Sequence, residues 1–490
     1  MKTHFKIPTE VTNIVQKLEE KGFEGFLIGG CVRDLFLNRP PKDWDVTTNA
    51  TPEEIQNIFP DSFYENSFGT VGVKTESEDP TLKVIEITPY RVEGEYSNNR
   101  HPDTVTFSKN IEDDLKRRDF TINAIALREK DDESEIIDLF GGIKDLSKGI
   151  IRTVGNPTDR FKEDGLRILR AVRLATELEF EIESETEKSI VENADLLENI
   201  SSERIRDEFS KIIASKEPMR GILTAKKANI LSHFLPELLE GVGCEQNKAH
   251  SFDVFEHLLR SLDHAAKKDF SFEIRLTALL HDIGKPATRR FSKEKNEYTF
   301  YGHEVVGARM TKKILERLKF SKETIDTVVK LVRWHMFFSD TEMITLSAVR
   351  RMIANVGQEK IWDLMNVRAC DRIGTGRPKE DPVRLRKYHA MIDEALRDPI
   401  SVSQLKIDGT DLIEKLHMKP SPQMGQILLA LLEEVLDDPT KNTKEYLENR
   451  ALELSKLPKE ELKALGEKGK QKKEEEDEKI LEEIRGKHRI

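Results

Sequence analysis

Residues 24–30 (EGFLIGG) form a short apolar run that ends on a glycine pair, and the N-terminal fold has to be built around it. Such a run reads as a buried strand entering a glycine turn. Val32 to Leu37 then reads as a short helix, and Asp43 to Thr47 as a second strand. That order calls for a mixed α/β unit. It also carries chemistry. Asp43 and Asp45 flank Trp44, and residues i and i+2 of a strand share a face, so the two carboxylates would lie side by side. Adjacent carboxylates repel unless a cation sits between them. Hard oxygen ligands suit Mg²⁺, which keeps part of its shell for water and substrate phosphates. Gly29 and Gly30 let the backbone approach a phosphate closely. Together these residues point to metal-dependent nucleotidyl transfer. Taken alone, an Asp-x-Asp after Pro40-Pro41 is more often a solvated turn, so the neighbouring motifs decide.

Those motifs continue the pattern. Thr51-Pro52-Glu53-Glu54 is a helix start, with a threonine cap, a proline and two acids in the first turn. Thr70–Thr75 and Leu82–Thr88 alternate like adjacent strands, with Ser77–Pro80 as the polar turn. Glu86 is a lone charge on an otherwise apolar strand. It is either a third carboxylate beside Asp43 and Asp45 or an edge-strand glutamate facing water. Further on, Arg117-Arg118-Asp119 and Asn123 offer two cations and two polar groups suited to a triphosphate and a ribose. Asp164 and Arg167 are three apart and would share a helical face. They form either an ion pair or a protein substitute for a template, pairing with the edge of an incoming base.

A chain of 490 residues should form several domains with more than one core. Charged residues make up 34% and aromatics 7%, which favours a largely helical protein over a β-sandwich. No apolar run is long enough to span a bilayer, and the N-terminus lacks the apolar core of a signal peptide. Cys31, Cys244 and Cys370 form no disulfide framework, so a reducing cytoplasm is expected. The net charge of −11 argues against indiscriminate nucleic-acid binding. Local basic clusters (Lys116 to Arg118; Arg167, Arg170 and Arg173; Arg204 and Arg206) still leave room for a recognised RNA.

The stretches GGCVRD, DWDVTT, EDDLKRRDFTINAIAL, IIDLFGGIKDL, RFKEDGLRILRAVRLATEL and SSERIRDEFSKII, in this order over about residues 24–215, resemble the class II tRNA nucleotidyltransferases. This family comprises the bacterial CCA-adding enzymes and their poly(A) polymerase relatives. LKIDGTDLI and MGQILLALLEEVL resemble its tail region. The resemblance implies an α+β fold: a mixed or antiparallel sheet head, then an all-helical body. It implies template-independent addition of CCA to tRNA 3′ ends from CTP and ATP. By the same resemblance Asp43 and Asp45 would bind catalytic Mg²⁺, with Glu86 assisting. Gly29, Gly30 and Arg33 would bracket the triphosphate, and Arg118, Asp119 and Asn123 would contact phosphate and ribose. Asp164 and Arg167 would read the base with Arg170 close by, buttressed by Glu203 and Arg204. Asp138 to Gly142 resembles the hinge between head and neck. The segment from Thr88 to Phe107 resembles the intact flexible loop of full CCA-adding enzymes, which favours CCA over CC addition and over poly(A) synthesis.

A separate block carries histidines in apolar helical runs. His257, His281-Asp282, His303, His335 and Asp371 recur in series, and the His-Asp pair is followed by Ile-Gly-Lys-Pro. Imidazole with carboxylate suits Mn²⁺, Fe, Ni²⁺ or Mg²⁺ better than structural zinc. Residues 245–375 resemble an HD-superfamily metal-dependent phosphohydrolase, in which His257, His281, Asp282 and Asp371 form the minimal ligand set. His303 and His335 would complete a two-metal site, with Lys285 near the phosphate. A cyclic 2′,3′-phosphate on a damaged tRNA end is one fitting substrate, and a purely tRNA-supporting role is the competing reading.

The expected layout is a nucleotidyltransferase head (1–150), a helical neck and RNA-binding region (151–245), an HD-type domain (246–395), a C-terminal helical tRNA-binding region (396–455) and a charged tail (456–490). Two alternatives stand beside CCA addition: a poly(A) polymerase or CC-/A-adding enzyme, and an HD phosphohydrolase whose head only binds RNA. The retained Asp43/Asp45 pair argues against the latter.

Overall fold

The computed structural model describes residues 5–64, 69–94, 104–130, 133–246, 250–294, 296–336 and 344–466. The chain divides into two compact units, Met1–Pro236 and Glu237–Ile490.

In the first unit, amphipathic α1 (Thr9–Glu20) buries Val11, Ile14, Val15 and Leu18 and leads to β1 (Phe26–Ile28). The glycine turn passes into α2 (Gly30–Phe36), and β2 (Asp45–Thr48) runs back antiparallel to β1. Then come α3 (Pro52–Ile58), β3 (Ser62–Tyr64), β4 (Val71–Lys74) and β5 (Val84–Pro89). Thr51 caps α3 as expected, and Glu54 reaches back to its amide to close a capping box. A separate two-stranded ribbon joins β6 (Arg91–Glu93) to β7 (Val105–Phe107), so the arms of the loop read from sequence pair with each other. Residues 95–103 of that loop lie outside the described residues. After α4 (Ile111–Lys116), β8 (Ala126–Lys130) and β9 (Glu133–Ile137) complete the sheet. Its order is β3-β4-β5-β2-β1-β8-β9. Only β2 and β5 pair in parallel, which makes the sheet mixed.

One expectation needs correcting. The second strand begins at Asp45, and Asp43 lies in the bend before it. The ladder with β5 starts at Asp45↔Glu86, so Asp43 has no paired neighbour to hold it extended. What fixes the bend is Trp44, buried at 4% exposure.

Beyond the sheet, Asp138 accepts hydrogen bonds from the amides of Gly142 and Ile143 and so caps α5 (Gly142–Lys148). A Cβ on Gly142 would lie 2.2 Å from the Thr121 carbonyl oxygen, so only glycine permits this approach. Helix α6 (Pro157–Glu163) and α7 (Leu166–Leu178) follow, then α8 (Ser184–Glu192) and α9 (Ser202–Ala214). Leu166, Leu169, Val172 and Leu174, three, three and two apart, lie on the buried face of α7.

Among the described residues, the second unit is helical apart from one hairpin, Arg290–Ser292 with Glu297–Thr299. Its core runs from Ala265 through Leu364, Tyr388 and Leu431 to Leu462. The helix Lys459–Gly466 therefore folds onto the body with Leu462 fully buried, and the charged sequence beyond residue 466 lies outside the described residues. No helix among the described residues is long and apolar enough to cross a membrane.

Candidate active site and metal centre

The head site is assembled at the turn between β1 and α2. Gly29 adopts φ +81°, a conformation side chains rarely tolerate. A Cβ there would stand 3.2 Å from Arg118 Nη1 and 3.3 Å from Asp45 Oδ2. One on Gly30 would stand 3.8 Å from Asp43 Oδ1. Both carboxylates and a guanidinium thus lie against a glycine backbone with no side chain in the way. From this turn a polar chain runs inward. Arg33 donates to Asn123 Oδ1 (2.9 Å), and Asn123 donates to Asp119 Oδ1 (3.3 Å). The Phe120 amide also donates to Asp119 (2.8 Å), and Arg170 of α7 pairs with its other oxygen (3.1 Å). Burial alone would raise the Asp119 carboxyl, but Arg170 and Arg167, with those hydrogen bonds, hold it below its ordinary value.

Glu86 is the ladder partner of Asp45, so the two side chains leave the same face of the sheet. Val84 and Glu86 are exposed while Ile85 and Ile87 are buried. Among the described residues, closed groups of three or more metal-type ligands form only in the second unit. Asp45 and Glu86 thus share one face of the sheet, with Asp43 in the bend just before β2. This fits a cation that keeps room for water and phosphate better than a three-carboxylate cage.

Asp114 was not singled out in the sequence, yet it is fully buried and clamped by Arg117 (Nε 2.9 Å) and Arg118 (Nη2 3.2 Å). Its spacing from them, three and four residues along one helical turn, was the available signal. Here too burial works against the charge, and Arg117 and Arg118 overcome it to hold the carboxyl low.

The shared helical face for Asp164 and Arg167 is not what forms. Asp164 sits in the break between α6 and α7 with extended backbone (φ −145°, ψ 104°). Its Oδ1 accepts from the Leu166 amide (3.1 Å), a local bond that competes with helix. Gly165 passes so near the Leu196 carbonyl that a Cβ would lie 2.8 Å from that oxygen. Arg204 of α9 grips Asp164 through both nitrogens (3.1 and 2.7 Å). Arg167 turns instead to Glu163 and to the carbonyls of Arg160 (3.1 Å) and Arg117 (3.2 Å). Glu203 is exposed, while Glu208, which sequence reasoning passed over, is buried against Arg173.

In the second unit all six expected ligands come together in two groups. His257, His281, Asp282 and Asp371 form one, and Asp282, His303 and His335 the other; every member is buried. Asp282 joins them: its Oδ2 faces His257 (3.0 Å) and His281 (3.3 Å), and its Oδ1 faces His303 (3.1 Å) and His335 (3.4 Å). His281, His303 and His335 place Nδ1 2.7–2.9 Å from the carbonyls of Ala278, Phe300 and Val332. An Nδ1–H donating to a carbonyl leaves the Nε2 lone pair directed inward. Nε2 atoms of His257 and His281 approach to 3.0 Å, those of His303 and His335 to 3.3 Å. Such crowding of inward nitrogens around a carboxylate fits divalent cations. Burial pushes the His257 and His335 imidazoles down, whereas at His281 Asp282 and Asp371 outweigh burial and raise it to about 9. Lys285 is not free to meet a phosphate: its ammonium lies 2.6 Å from Asp282 Oδ2 and 2.6 Å from Gln246 Oε1.

Residues 25–152 match the poly A polymerase head domain, 179–241 the probable RNA and SrmB-binding site of polymerase A, and 249–364 the HD domain. A CCA-adding enzyme of Lactobacillus delbrueckii subsp. bulgaricus is 34% identical over 437 residues, covering 89% of this chain and 95% of that relative. One of Ligilactobacillus salivarius is 33% identical, covering 90% and 95%. The Bacillus stearothermophilus CCA-adding enzyme in complex with CTP has a TM-score of 0.63 at 27% identity, covering 91% of this chain and 98% of that one. The Thermotoga maritima CCA-adding enzyme complexed with tRNA shares the fold, with a TM-score of 0.53 at 22% identity over 91% and 94%.

Proposed function

We propose that this chain, which belongs to the family of CCA-adding enzymes, builds the CCA end of tRNA from CTP and ATP at the glycine turn of its head. The observation that carries this is the placement of Asp43, Asp45 and Arg118 against Gly29 and Gly30, where a triphosphate meets backbone, carboxylate and guanidinium together. Arg33 and Arg118 donate to phosphate oxygens, and Asp119 with Asn123 orients the ribose. Asp43 and Asp45, assisted by Glu86, would hold Mg²⁺, whose chemistry when bound is to acidify the attacking 3′-hydroxyl and neutralise the leaving pyrophosphate. Asp164 supplies base reading. Arg204 fixes its carboxylate, and Oδ2, which takes a single donor among the described residues, keeps an acceptor site for the amino group of cytosine or adenine. Arg167 and Arg170, three apart on α7, would stand beside the base as its cationic neighbours.

Nucleotide addition tests this reading. Primers are tRNA lacking CCA, tRNA ending in CC, and oligo(A), each offered CTP and ATP separately and together with Mg²⁺. Ordered addition of C, C and A that then stops is expected, with Asp43→Ala/Asp45→Ala slower by about 10³-fold or more. ATP-only extension without a stop would mean poly(A) synthesis, and CTP-only incorporation a CC-adding enzyme.

A second activity rests on a different observation, the bridging Asp282. His257, His281, Asp282 and Asp371 would hold one divalent metal and Asp282, His303 and His335 another. The chemistry such metals supply when bound is Lewis-acid polarisation of a phosphate ester. The substrate class is phosphate esters, including the cyclic 2′,3′-phosphate of a damaged tRNA end, in a cytoplasm that keeps the three buried cysteines reduced. Hydrolysis of bis-p-nitrophenyl phosphate with Mn²⁺ or Ni²⁺ is expected from the wild type and lost in His281→Ala/Asp282→Ala. Equal rates in the two proteins would leave the domain a tRNA-supporting role.

A further inference from the structure

The strongest unassigned feature of the second unit is a cavity of about 400 Å³ lined by Arg368, Arg372, Arg377 and Arg384, with Pro382 and Leu385. In a chain with a net charge of −11, four guanidinium groups converging on one space need a reason. Arg368 is paired with Asp371, the carboxylate whose other oxygen faces His257 (3.5 Å) and His281 (3.7 Å). Arg372 donates to the Lys379 carbonyl (2.6 Å). Among the described residues, Arg372, Arg377 and Arg384 form no ion pair with a carboxylate. Val383, Arg384 and Leu385 open the thirteen-residue helix Val383–Ala395, whose cap Pro382 supplies no side-chain acceptor. Their amides add donors to a space the arginines already make cationic.

We propose that this pocket is a phosphate-recognition subsite that seats a diphosphate-bearing small ligand beside the metal centre. Guanidinium forks bind phosphate oxygens in pairs, and several forks around one space suit more than one phosphoryl group. The volume suits a ligand of nucleotide size; an RNA backbone would call for an extended basic track. Arg368 ties the two sites together, because it lines the pocket and contacts a candidate metal ligand at once. As the substrate pocket of that centre, the subsite rests on the phosphohydrolase reading; as an anion site, it does not.

The test is calorimetric titration of pyrophosphate, and separately of ADP, into the full chain in low-salt buffer containing EDTA. Metal removal keeps cation-dependent binding in the head from contributing. The comparison is with Arg377→Gln/Arg384→Gln; both side chains are exposed, so folding is spared, and an unchanged melting curve verifies it. Pyrophosphate affinity is expected to fall tenfold or more, with Arg377→Lys/Arg384→Lys keeping part of it. Equal affinity for ADP and pyrophosphate identifies the diphosphate itself as the ligand, and tighter ADP binding a nucleoside diphosphate. Affinity unchanged in the glutamine variant, or no binding by the wild type, overturns the proposal. Failure of the phosphohydrolase reading shows separately, as absent metal-dependent hydrolysis with these titrations intact.

Discussion

Asp114 and Asp119 are buried carboxylates held ionised by arginines, and they fix the frame on which Arg118 and Asn123 are displayed. Removing one member of a buried pair leaves its partner uncompensated, at a cost of roughly 3–5 kcal/mol. The pairs also set an acid limit. Both carboxyls are lowered in the folded chain from an ordinary value of 3.8, so their contribution is complete above that pH. It is lost as pH falls through the lowered folded values. Asp119→Asn is therefore expected to lower the melting temperature at pH 7 and to flatten the decline below about pH 4. Melting curves of the two proteins across pH 3–7 measure this. An acid limb as steep in the variant as in the wild type would remove Asp119 from the cause.

At the scale of elements, the α6–α7 break decides where Asp164 and Arg167 are directed. An unbroken helix would have set Asp164 beside Arg167; the break sends Asp164 to Arg204 and Arg167 to Glu163. Gly165→Ala retains a permitted backbone, since its φ is −57°, but the added methyl meets the Leu196 carbonyl. The expected result is a loss of roughly 1–3 kcal/mol in stability. Nucleotide selection between CTP and ATP should be blurred while tRNA binding is kept, as read by single-nucleotide incorporation and by a binding titration. Unaltered selection would mean that the break does not position the reader. The same elements show what was legible in the sequence. Strands and caps followed from periodicity and turn residues, because these are local. The histidine set was legible because ligand chemistry restricts which residues can serve. Asp43's bend, the α6–α7 break, the Arg173–Glu208 pair and the arginine pocket were not. Each depends on a neighbour distant in sequence: the β5 ladder, the Leu196 carbonyl, α9, or the helix beginning at Val383.

For the whole molecule, each of the two compact units carries its own candidate site, and the second buries all its candidate metal ligands. A ligand that binds only the folded state stabilises it by RT ln(1 + [L]/Kd), about 2.7 kcal/mol at a hundredfold excess over Kd. For a unit of this size that is a rise of roughly 5–10 °C in its unfolding temperature. Ni²⁺ or Mn²⁺ added to metal-free protein is thus expected to raise the unfolding of the second unit, and EDTA to reverse it. His281→Ala/Asp282→Ala removes a ligand from the first group and the carboxylate common to both, so its shift should vanish. Nucleotide addition in that variant should persist, because Asp43, Asp45 and Arg118 belong to the first unit. Equal metal shifts in the two proteins would place the stabilising cation elsewhere. Loss of nucleotide addition together with the shift would mean that the buried histidine centre supports the head's reaction and is not a separate activity.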